Sequence, residues 1–257
     1  MRIITYNVNG IRAAQRKGLE AWLAKEAPDV FCLQEVKAMP EQVDLKKIEQ
    51  MGYHTYWHAA EKKGYSGVAT FSKKEVKQVF EGMKMPKYDA EGRLIRTDFQ
   101  DFTLINAYFP SGSRGGERQQ YKYEWLSDFQ SYIGKLQEER QNIIICGDVN
   151  ICHKPIDIHN PKTNKNTSGF LPEEREWFSG FLETGFADAF RQFNEDLHHY
   201  TWWTYRSNAR ARNVGWRIDY FWVSESMKDM LSDCQILPSA MHSDHCPVRL
   251  DLRGSIG

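Results

Sequence analysis

Short apolar runs recur along the chain, and four of them meet an acidic or amide residue at one end. The runs IITYNVN, VFCLQE and IIICGDVN stop at such residues, and SDHCPVRL begins with them. The side chains at these positions can all bind a ligand, and they are Asn7, Asn9, Glu35, Asp148, Asn150, Asp244 and His245. Apolar runs of this length are typical of buried strands, and neighbouring strands end at one edge of a sheet. We therefore expect these side chains to converge.

Helical patterns separate many of the apolar runs. The predicted helices are Gly18–Lys25, Glu117–Glu139, Pro172–Glu183 and Ser226–Leu231. The predicted strands are Arg2–Tyr6, Val30–Gln34, Tyr53–His58, Val68–Phe71, Ile95–Phe99, Thr103–Tyr108, Ile143–Cys146, Arg217–Val223 and Val248–Leu252. This mixture predicts an α/β fold, a four-layered α/β sandwich in which two packed mixed β-sheets are flanked by helices. The polar stretch His153–Phe170 is predicted to be a long loop, and such loops are often functional.

With 257 residues, of which 41% are hydrophobic, the chain can bury one large core, so we predict a single domain over residues 1–257. It contains no apolar run of the roughly 18 residues that a membrane helix needs and no signal-peptide pattern. Its five cysteines include no C-x-x-C pair, which indicates reduced thiols. We expect a soluble, cytoplasmic monomer without membrane association.

The charge balance argues weakly against a nucleic-acid partner, because Lys+Arg and Asp+Glu both number 34 and such proteins are usually basic. The distribution of charge points the other way. Between Tyr200 and Arg217 there is no acidic residue, and aromatic residues are interleaved with Arg206, Arg210, Arg212 and Arg217. Basic groups mixed with aromatic rings suit a phosphate backbone and bases that can stack. The alternative is a solvated loop that carries core tryptophans.

The polar strand ends have the composition of a site for a hard divalent cation. Mg²⁺ and Mn²⁺ prefer carboxylate and amide oxygens and retain waters for a substrate phosphate. The spacing of two in Asn7/Asn9 and in Asp148/Asn150 places each pair on one side of an extended chain. Asn and Asp also end strands because they form turns, but the agreement of four strand ends favours a metal site. We expect Mg²⁺ or Mn²⁺ as the cofactor.

The segment from His242 to Cys246 could instead suggest zinc. Zinc sites usually need a second pair of ligands, and the chain contains neither C-x-x-C nor H-E-x-x-H. A serine hydrolase is also disfavoured, because there is no G-x-S-x-G motif. We interpret His245 as a group that contacts phosphate. Asp219, isolated in the apolar strand WRIDYFWV, is the candidate carboxylate that fixes its tautomer, since a buried Asp needs a partner.

The motifs of the chain resemble those of the exonuclease III type of abasic-site endonuclease, within the endonuclease/exonuclease/phosphatase superfamily. They occur in the family's order along nearly the whole chain and are TYNVNGIR, LQEVK, GYSGVA, EGR, YFPSG, GDVNICH, SGFLPEER, YTWWTYR, NVGWRIDYF and SDHCP. The resemblance implies one catalytic domain that hydrolyses the DNA backbone 5′ to abasic sites, with 3′→5′ exonuclease and 3′-end-cleaning activity. The implied partner is double-stranded DNA with abasic or damaged sites.

The resemblance also implies roles for individual residues. The implied metal-binding residues are Asn7, Asn9, Glu35, Asp148, Asn150, Asp244 and His245. The implied catalytic residues are Asp148 and Asn150 for the attacking water, Asp219 and His245 for the phosphate, and Tyr108 for the transition state or the leaving oxygen. Some relatives have Asp at the position of Asn9, so the metal site here has one fewer possible carboxylate.

A pocket for the base-less sugar, flipped out of the duplex, is implied at Trp202, Trp216 and Ile218. Extruding a nucleotide costs least where the base is missing, and an apolar pocket that excludes a base adds selectivity. The residues implied to hold or wedge the DNA backbone are Tyr65, Arg93, Arg114, Lys154 and Arg206.

Two other functions are compatible with these motifs. A ribonuclease or a phosphomonoesterase of this superfamily would use the same metal centre, although the segment NVGWRIDYF favours DNA. A catalytically silent module that binds lesions is disfavoured, because every expected catalytic side chain is present. The sequence does not rank the relative rates of abasic-site cleavage, 3′→5′ exonuclease, 3′-phosphatase and nucleotide-incision activity. The number of metal ions and the group that protonates the leaving 3′ oxygen also stay open.

Overall fold

The computed structural model describes residues 1–254. Its strands are β1 (Arg2–Asn7), β2 (Val30–Gln34), β3 (His54–His58), β4 (Val68–Ser72), β5 (Gln78–Glu81), β6 (Leu94–Asp98), β7 (Thr103–Tyr108), β8 (Ile143–Asp148), β9 (Phe186–Asp188), β10 (Asp219–Ser224), β11 (Leu231–Ile236) and β12 (Val248–Leu252). Its α-helices are α1 (Ile11–Arg16), α2 (Leu19–Glu26), α3 (Lys46–Gln50), α4 (Pro86–Asp89), α5 (Gly116–Glu139), α6 (Pro161–Asn164) and α7 (Pro172–Glu183). No helix in this part of the chain is both long and apolar enough to cross a membrane.

The strands form two six-stranded mixed sheets. The first sheet has the order β11-β12-β1-β2-β4-β3, and the second has the order β5-β6-β7-β8-β10-β9. β1 is parallel to β2 and β7 is parallel to β8, whereas the other neighbouring strands are antiparallel. The predicted sandwich of two mixed sheets is confirmed.

Apolar side chains fill the spaces between four layers. The core between the two sheets includes Ile3, Val30, Cys32, Leu104, Ile144 and Phe221. The outer face of the second sheet is covered by α5 and α7 through Trp125, Phe129, Phe178 and Phe181. The outer face of the first sheet is covered by α1, α2 and α3 through Ile11, Leu23 and Ile48. Removal of this apolar surface from water is the main favourable contribution to folding.

Three strands lie outside the predicted set, namely β5, β9 and β11. All three are at sheet edges. The ends of β5 are exposed, β9 has three residues, and β11 buries only Leu231 and Cys234, so none has the continuous apolar run of a central strand. The predicted helix Ser226–Leu231 is present as a 3-10 helix over Glu225–Met230, and Leu231 instead begins β11.

A buried polar network joins the two sheets close to the ends of β2 and β7. Gln34 Nε2 donates to Thr5 Oγ1 at 2.9 Å and to Asn106 Oδ1 at 2.7 Å. Buried polar groups are costly unless they are paired, so these hydrogen bonds fix how the sheets lie on each other. Gln34 directly precedes Glu35, and Asn106 lies shortly before Tyr108. The network therefore aligns two predicted site residues from different sheets.

Candidate active site

Polar residues at several strand ends meet at one edge of the sandwich. The parallel strands β1 and β2 end side by side, so Asn7 and Glu35 are neighbours. β10 runs antiparallel to β8, and Asp219 is paired with Asp148. Asn7 Nδ2 donates to Glu35 Oε1 at 2.9 Å and to Asp148 Oδ2 at 2.8 Å. Asn7 thus links carboxylates from the two sheets, and the predicted convergence is confirmed.

The two polar pairs are held by turns rather than by extended strand. β1 ends at Asn7 and β8 at Asp148, while Asn9 and Asn150 have φ angles of 46° and 55°. The backbone N–H of Asn9 donates to Asn7 Oδ1 at 3.0 Å, and that of Asn150 donates to Asp148 Oδ1 at 2.9 Å. The prediction that an extended chain aligns each pair is therefore wrong. Asn and Asp side chains hydrogen-bond the backbone two residues on, which replaces the strand by a turn.

His245 lies between two buried carboxylates. Its Nδ1 atom is 2.9 Å from Asp219 Oδ2, and its Nε2 atom is 3.9 Å from Asp148 Oδ2. Thr201 Oγ1 accepts the backbone N–H of Asp219 at 3.1 Å, which anchors this strand end. The predicted contact between Asp219 and His245 is confirmed. It fixes the imidazole so that Nε2 faces Asp148.

Burial and charge together shift the pKa values of this group. Burial raises the pKa of Asp148 to about 8, although the neighbouring His245 acts in the opposite direction. Burial disfavours the cationic form of His245, but the charge and hydrogen bond of Asp219 outweigh it and raise the pKa of His245 to about 10. His245 therefore carries a proton at neutral pH. The raised pKa makes Asp148 a strong base once it is ionised, and a cation bound beside it would favour that ionised form.

Asp244 connects the polar and apolar sides of the site. It accepts hydrogen bonds from Asn9 Nδ2 at 2.9 Å and from Trp202 Nε1 at 3.1 Å. Lys37 donates to Asn9 Oδ1 and forms an ion pair with Glu35 at 2.8 Å. Burial favours the neutral form of Glu35, but the ammonium of Lys37 lowers its pKa below the usual range. The sequence argument did not single out Lys37, although the motif LQEVK contains it.

Glu35, Asp148 and His245 could hold a metal ion together. One ligand atom from each lies within 4.8 Å of the others. Two carboxylates beside further amide oxygens suit a hard divalent cation. Among residues 1–254 this is the one cluster of three or more His, Cys and acidic side chains with such spacing. It does not include Cys246, whose Sγ atom lies 3.7 Å from the backbone oxygen of Tyr200, so the zinc alternative for residues 242–246 gains no support.

Tyr108 lies at the end of β7 and packs against Arg93. The guanidinium of Arg93 is 4.8 Å from the Tyr108 ring and donates to its backbone oxygen at 3.0 Å. Arg93 also pairs with Glu91 and donates to Tyr65 Oη at 3.0 Å. Its side chain is only 2% exposed, so the expectation that Arg93 contacts the DNA backbone is wrong, and it orients the two tyrosines instead. Burial raises the pKa of Tyr108 well above its usual value, so the phenol remains a hydrogen-bond donor.

A pocket of about 340 Å³ adjoins these groups. Its polar side is formed by Glu35, Tyr108, Asp148, Asn150, Asp244 and His245. Its apolar side brings together Trp202, Trp216 and Ile218, the three residues for which the family resemblance implies a pocket. The rings of Trp202 and Trp216 are almost perpendicular, at 87°, with centroids 6.0 Å apart. The pocket therefore places an apolar wall beside the acidic group.

Two loops add lining residues that the sequence argument did not single out. They are Ser111, Ser113, Thr167, Ser168 and Gly169. Most of them belong to the motifs YFPSG and SGFLPEER, which is the signal that could have found them. The end of the predicted loop His153–Phe170 therefore contributes to the pocket.

The basic surface is smaller than the sequence suggests. Arg217 is 1% exposed and pairs with Asp157 at 2.8 Å and with Asp188 at 2.7 Å. Arg210 donates to the backbone oxygens of residues 238, 240 and 243 and lies over the Trp203 ring. Both arginines support the fold, so the expectation that all four arginines of this segment face a phosphate backbone is wrong.

Other residues predicted to contact the DNA backbone are accessible to solvent. Arg114, Lys154 and Arg206 are exposed and lie outside the pocket lining, and Tyr65 is half-buried beside Arg93. Among residues 1–254, these three cations have no buried acidic partner of the kind that holds Arg217.

Comparisons with known proteins agree with this fold and site. The family described as "Endonuclease/Exonuclease/phosphatase family" matches residues 4–245. The exodeoxyribonuclease of Bacillus subtilis strain 168 is 47% identical over 97% of this chain and 98% of its own length. The DNA repair nuclease APEX1 of Danio rerio is 44% identical over 98% of this chain and 82% of its own length. The solved structure of an AP endonuclease from Archaeoglobus fulgidus is 32% identical, has a TM-score of 0.91, and covers 99% of this chain and 100% of that chain. The chain therefore belongs to the endonuclease/exonuclease/phosphatase family, and within it to the exonuclease III type of abasic-site endonucleases.

Proposed function

We propose that this protein is a DNA-repair phosphodiesterase that hydrolyses the backbone of duplex DNA 5′ to abasic sites. We also propose 3′→5′ exonuclease and 3′-end-cleaning activity at the same site. The observation that carries the proposal is the buried group of Asp148, His245 and Asp219, which opens on a pocket with an apolar wall. The relatives named exodeoxyribonuclease and AP endonuclease support it.

We propose Mg²⁺ or Mn²⁺ as the cofactor. Glu35 and Asp148 would hold the ion, and the neighbouring candidate ligands are Asn7, Asn9, Asn150 and Asp244. His245 lies in the same cluster but would bind the ion only as the neutral imidazole. Such an ion polarises a phosphoryl oxygen and lowers the pKa of a bound water. The lowered pKa of Glu35 keeps at least one carboxylate ionised for this purpose at neutral pH.

The chain's own residues move the protons. Asp148 accepts a proton from the attacking water, and Asn150, whose side chain donates to the backbone oxygen of Phe109 at 3.0 Å, orients that water. The protonated Nε2 of His245 donates to a phosphate oxygen, and Asp219 keeps the imidazole charged. The phenol of Tyr108 donates to the charge that develops at the phosphate or at the leaving oxygen. Each positioned proton-transfer group contributes about 10²–10⁴ in rate.

The pocket supplies the preference for a missing base. An enzyme that acts inside a duplex must extrude its target nucleotide, which costs least at an abasic site. Trp202 is held by Asp244, so the apolar wall has a fixed position relative to the acidic group. A bare sugar contacts Trp216 and Ile218 in this position, whereas an attached base would meet the wall.

Incubation of the purified protein with labelled DNA duplexes tests this proposal. Duplexes that carry an abasic analogue, a 3′ phosphate or an undamaged end are compared side by side with Mg²⁺ present. We expect the fastest cleavage immediately 5′ to the abasic analogue. Hydrolysis of RNA or of small phosphomonoesters without cleavage at the abasic analogue would favour the ribonuclease or phosphomonoesterase alternative. Binding to the abasic duplex without any hydrolysis would indicate a silent lesion-binding module.

Trp216→Ala is expected to reduce the ratio of abasic to undamaged cleavage about ten- to a hundredfold. An aromatic side chain in the pocket wall contributes about 1–3 kcal/mol through stacking or apolar contact, and it contacts the sugar rather than the phosphate. The slope of log affinity against log salt should change little, because the indole carries no charge. Cleavage rates on both duplexes and binding at several salt concentrations measure the two effects.

Arg206→Ala is the matched control for this variant, because Arg206 is exposed and follows the same aromatic segment. It should reduce the slope of log affinity against log salt by about the amount that one phosphate contact contributes. It should change the ratio of abasic to undamaged cleavage less than Trp216→Ala does. If folded Trp216→Ala keeps the full preference for the abasic duplex, the pocket is not the source of selectivity. DNA deformability would then be the remaining explanation.

We also propose a cytoplasmic location. All five cysteines lie in the described part of the chain, and they are free and buried. Free thiols are typical of compartments that keep cysteine reduced. A monomeric state and a single-domain organisation stay predictions.

A further inference from the structure

A fully buried ion pair lies behind the pocket. Lys122 of α5 and Glu174 of α7 are 2.6 Å apart, measured from Nζ to Oε1, and both side chains are 0% exposed. Replacing a buried pair of this kind by neutral residues of similar volume is often neutral for stability or even stabilising. Stability alone therefore does not explain why two charges occupy this place.

The pair connects the two sides of the site through the backbone. Lys122 Nζ donates to the backbone oxygen of Asn150 at 2.8 Å, within the turn that follows β8. Glu174 Oε2 accepts the backbone N–H of Gly169 at 2.6 Å and that of Leu171 at 3.1 Å. Asn150 belongs to the acidic side of the pocket and Gly169 to its loop side. One ion pair thus links the turn at Asn150 to the loop at Gly169.

The backbone at Gly169 has little room to move. A Cβ atom at this position would lie 2.9 Å from the Trp216 ring and 3.1 Å from the backbone oxygen of Asn150. The φ angle of Gly169 is 94°, in the region that favours glycine. The Asn150 oxygen that limits this space is the same oxygen that Lys122 binds. A change in the ion pair would therefore alter the position of the Gly169 backbone relative to both Trp216 and the turn at Asn150.

We propose that Lys122 and Glu174 are positioning residues that set the selectivity for abasic sites. They do so by holding the Gly169 backbone against Trp216 and at a fixed position relative to the turn at Asn150. This inference rests on the proposed function, because it assigns the pocket to a base-less sugar. Neither side chain contacts the substrate, and both act through the backbone of the pocket loop. Without the pair, the loop shifts and the fit to a bare sugar is lost, while contacts to an undamaged backbone remain.

The double variant Lys122→Met with Glu174→Gln tests this inference in the full-length protein. It removes both charges with little change in volume, so no unpaired charge is left in the core. We expect the ratio of abasic to undamaged cleavage to fall about tenfold, in the range that a small misplacement of a positioning group produces. Both rates are measured on one protein preparation, so the ratio does not depend on the fraction of active protein. A role in stability alone leaves this ratio unchanged.

Two further variants complete the test. Gly169→Ala forces a Cβ atom against Trp216 and should lower the ratio in the same way. The matched control is the buried pair Arg96 and Asp98, which is 2.6 Å apart at the end of β6 opposite to the site. Arg96→Met with Asp98→Asn should leave the ratio at the wild-type value.

A proportional loss of both activities, or an unchanged ratio, in the Lys122→Met and Glu174→Gln double variant would overturn the inference. If this double variant does not fold, the ratio measured for Gly169→Ala decides the outcome, because that change leaves no unpaired charge in the core. A wild-type protein without any preference for the abasic duplex would overturn the proposed function itself. The two failures are therefore distinguished by the wild-type measurement.

Discussion

Asp148→Asn is expected to lower the turnover number on an abasic duplex by about 10²–10⁴ or more, the usual contribution of a positioned proton-transfer group. An amide cannot accept the proton of the attacking water. Its size matches the carboxylate, and it can still accept the hydrogen bond from Asn7 Nδ2. Single-turnover rates with enzyme in excess measure the chemical step apart from product release.

The fold of Asp148→Asn should survive, because burial already disfavours the charged form of this side chain. A melting temperature at or above that of the wild type would show this. His245→Ala should lose activity to a similar extent, since it removes the protonated Nε2 that faces Asp148. Arg206→Ala, which removes an exposed charge, should keep its turnover number at saturating DNA. Near-normal turnover in Asp148→Asn would exclude Asp148 from the proton transfer.

The position of the site could be predicted because its strand ends are marked in the sequence. The central strands β1, β2 and β8 are buried on both faces, so their apolar runs are continuous and the points where they stop are visible. An acid or amide at such a point is costly unless a partner lies at the same edge. The edge strands β5 and β11 bury less of their length and give no such signal.

The conformation of the strand ends could not be predicted from periodicity. A period of two assumes extended backbone, whereas Asn9, Glu35 and Asn150 all have φ angles between 46° and 55°. Residues other than glycine in this region usually carry a conformational cost of about 1–3 kcal/mol and cluster at functional sites. The side chains reach the site because of these turns, so the spacing identified the correct residues for the wrong geometric reason.

The orientation of the basic side chains also depends on contacts that sequence patterns do not show. Arg217 pairs with Asp157 and Asp188, which are 60 and 29 positions away along the chain. Lys122 pairs with Glu174, which is 52 positions away. Such pairs exist only once the layers have packed, so a buried cation and a surface cation look alike in the sequence. This explains why Arg217 was assigned to the basic surface.

Removal of the divalent cation is expected to have the largest effect of all. Excess EDTA should abolish cleavage at the abasic site, and Mg²⁺ or Mn²⁺ added back should restore it. Glu35 and Asp148 place two carboxyl groups within reach of a single ion, and without a cation the ionised Glu35 would repel a phosphate. Full cleavage in excess EDTA would contradict the proposed cofactor.

The ends of the cleaved strand provide a second measurement of the same prediction. Cleavage restored by the metal should leave a 3′-hydroxyl and a 5′-deoxyribose phosphate, because a centre of oxygen ligands hydrolyses with water. A lyase would instead need an amine nucleophile and no metal, and it would leave a 3′ unsaturated aldehyde. The amine of Lys37 lies beside the acidic group, and its ammonium is held by Glu35 at 2.8 Å and by Asn9. Mass spectrometry of the products separates the two reactions, and a 3′ aldehyde would rule out hydrolysis as the cleavage step.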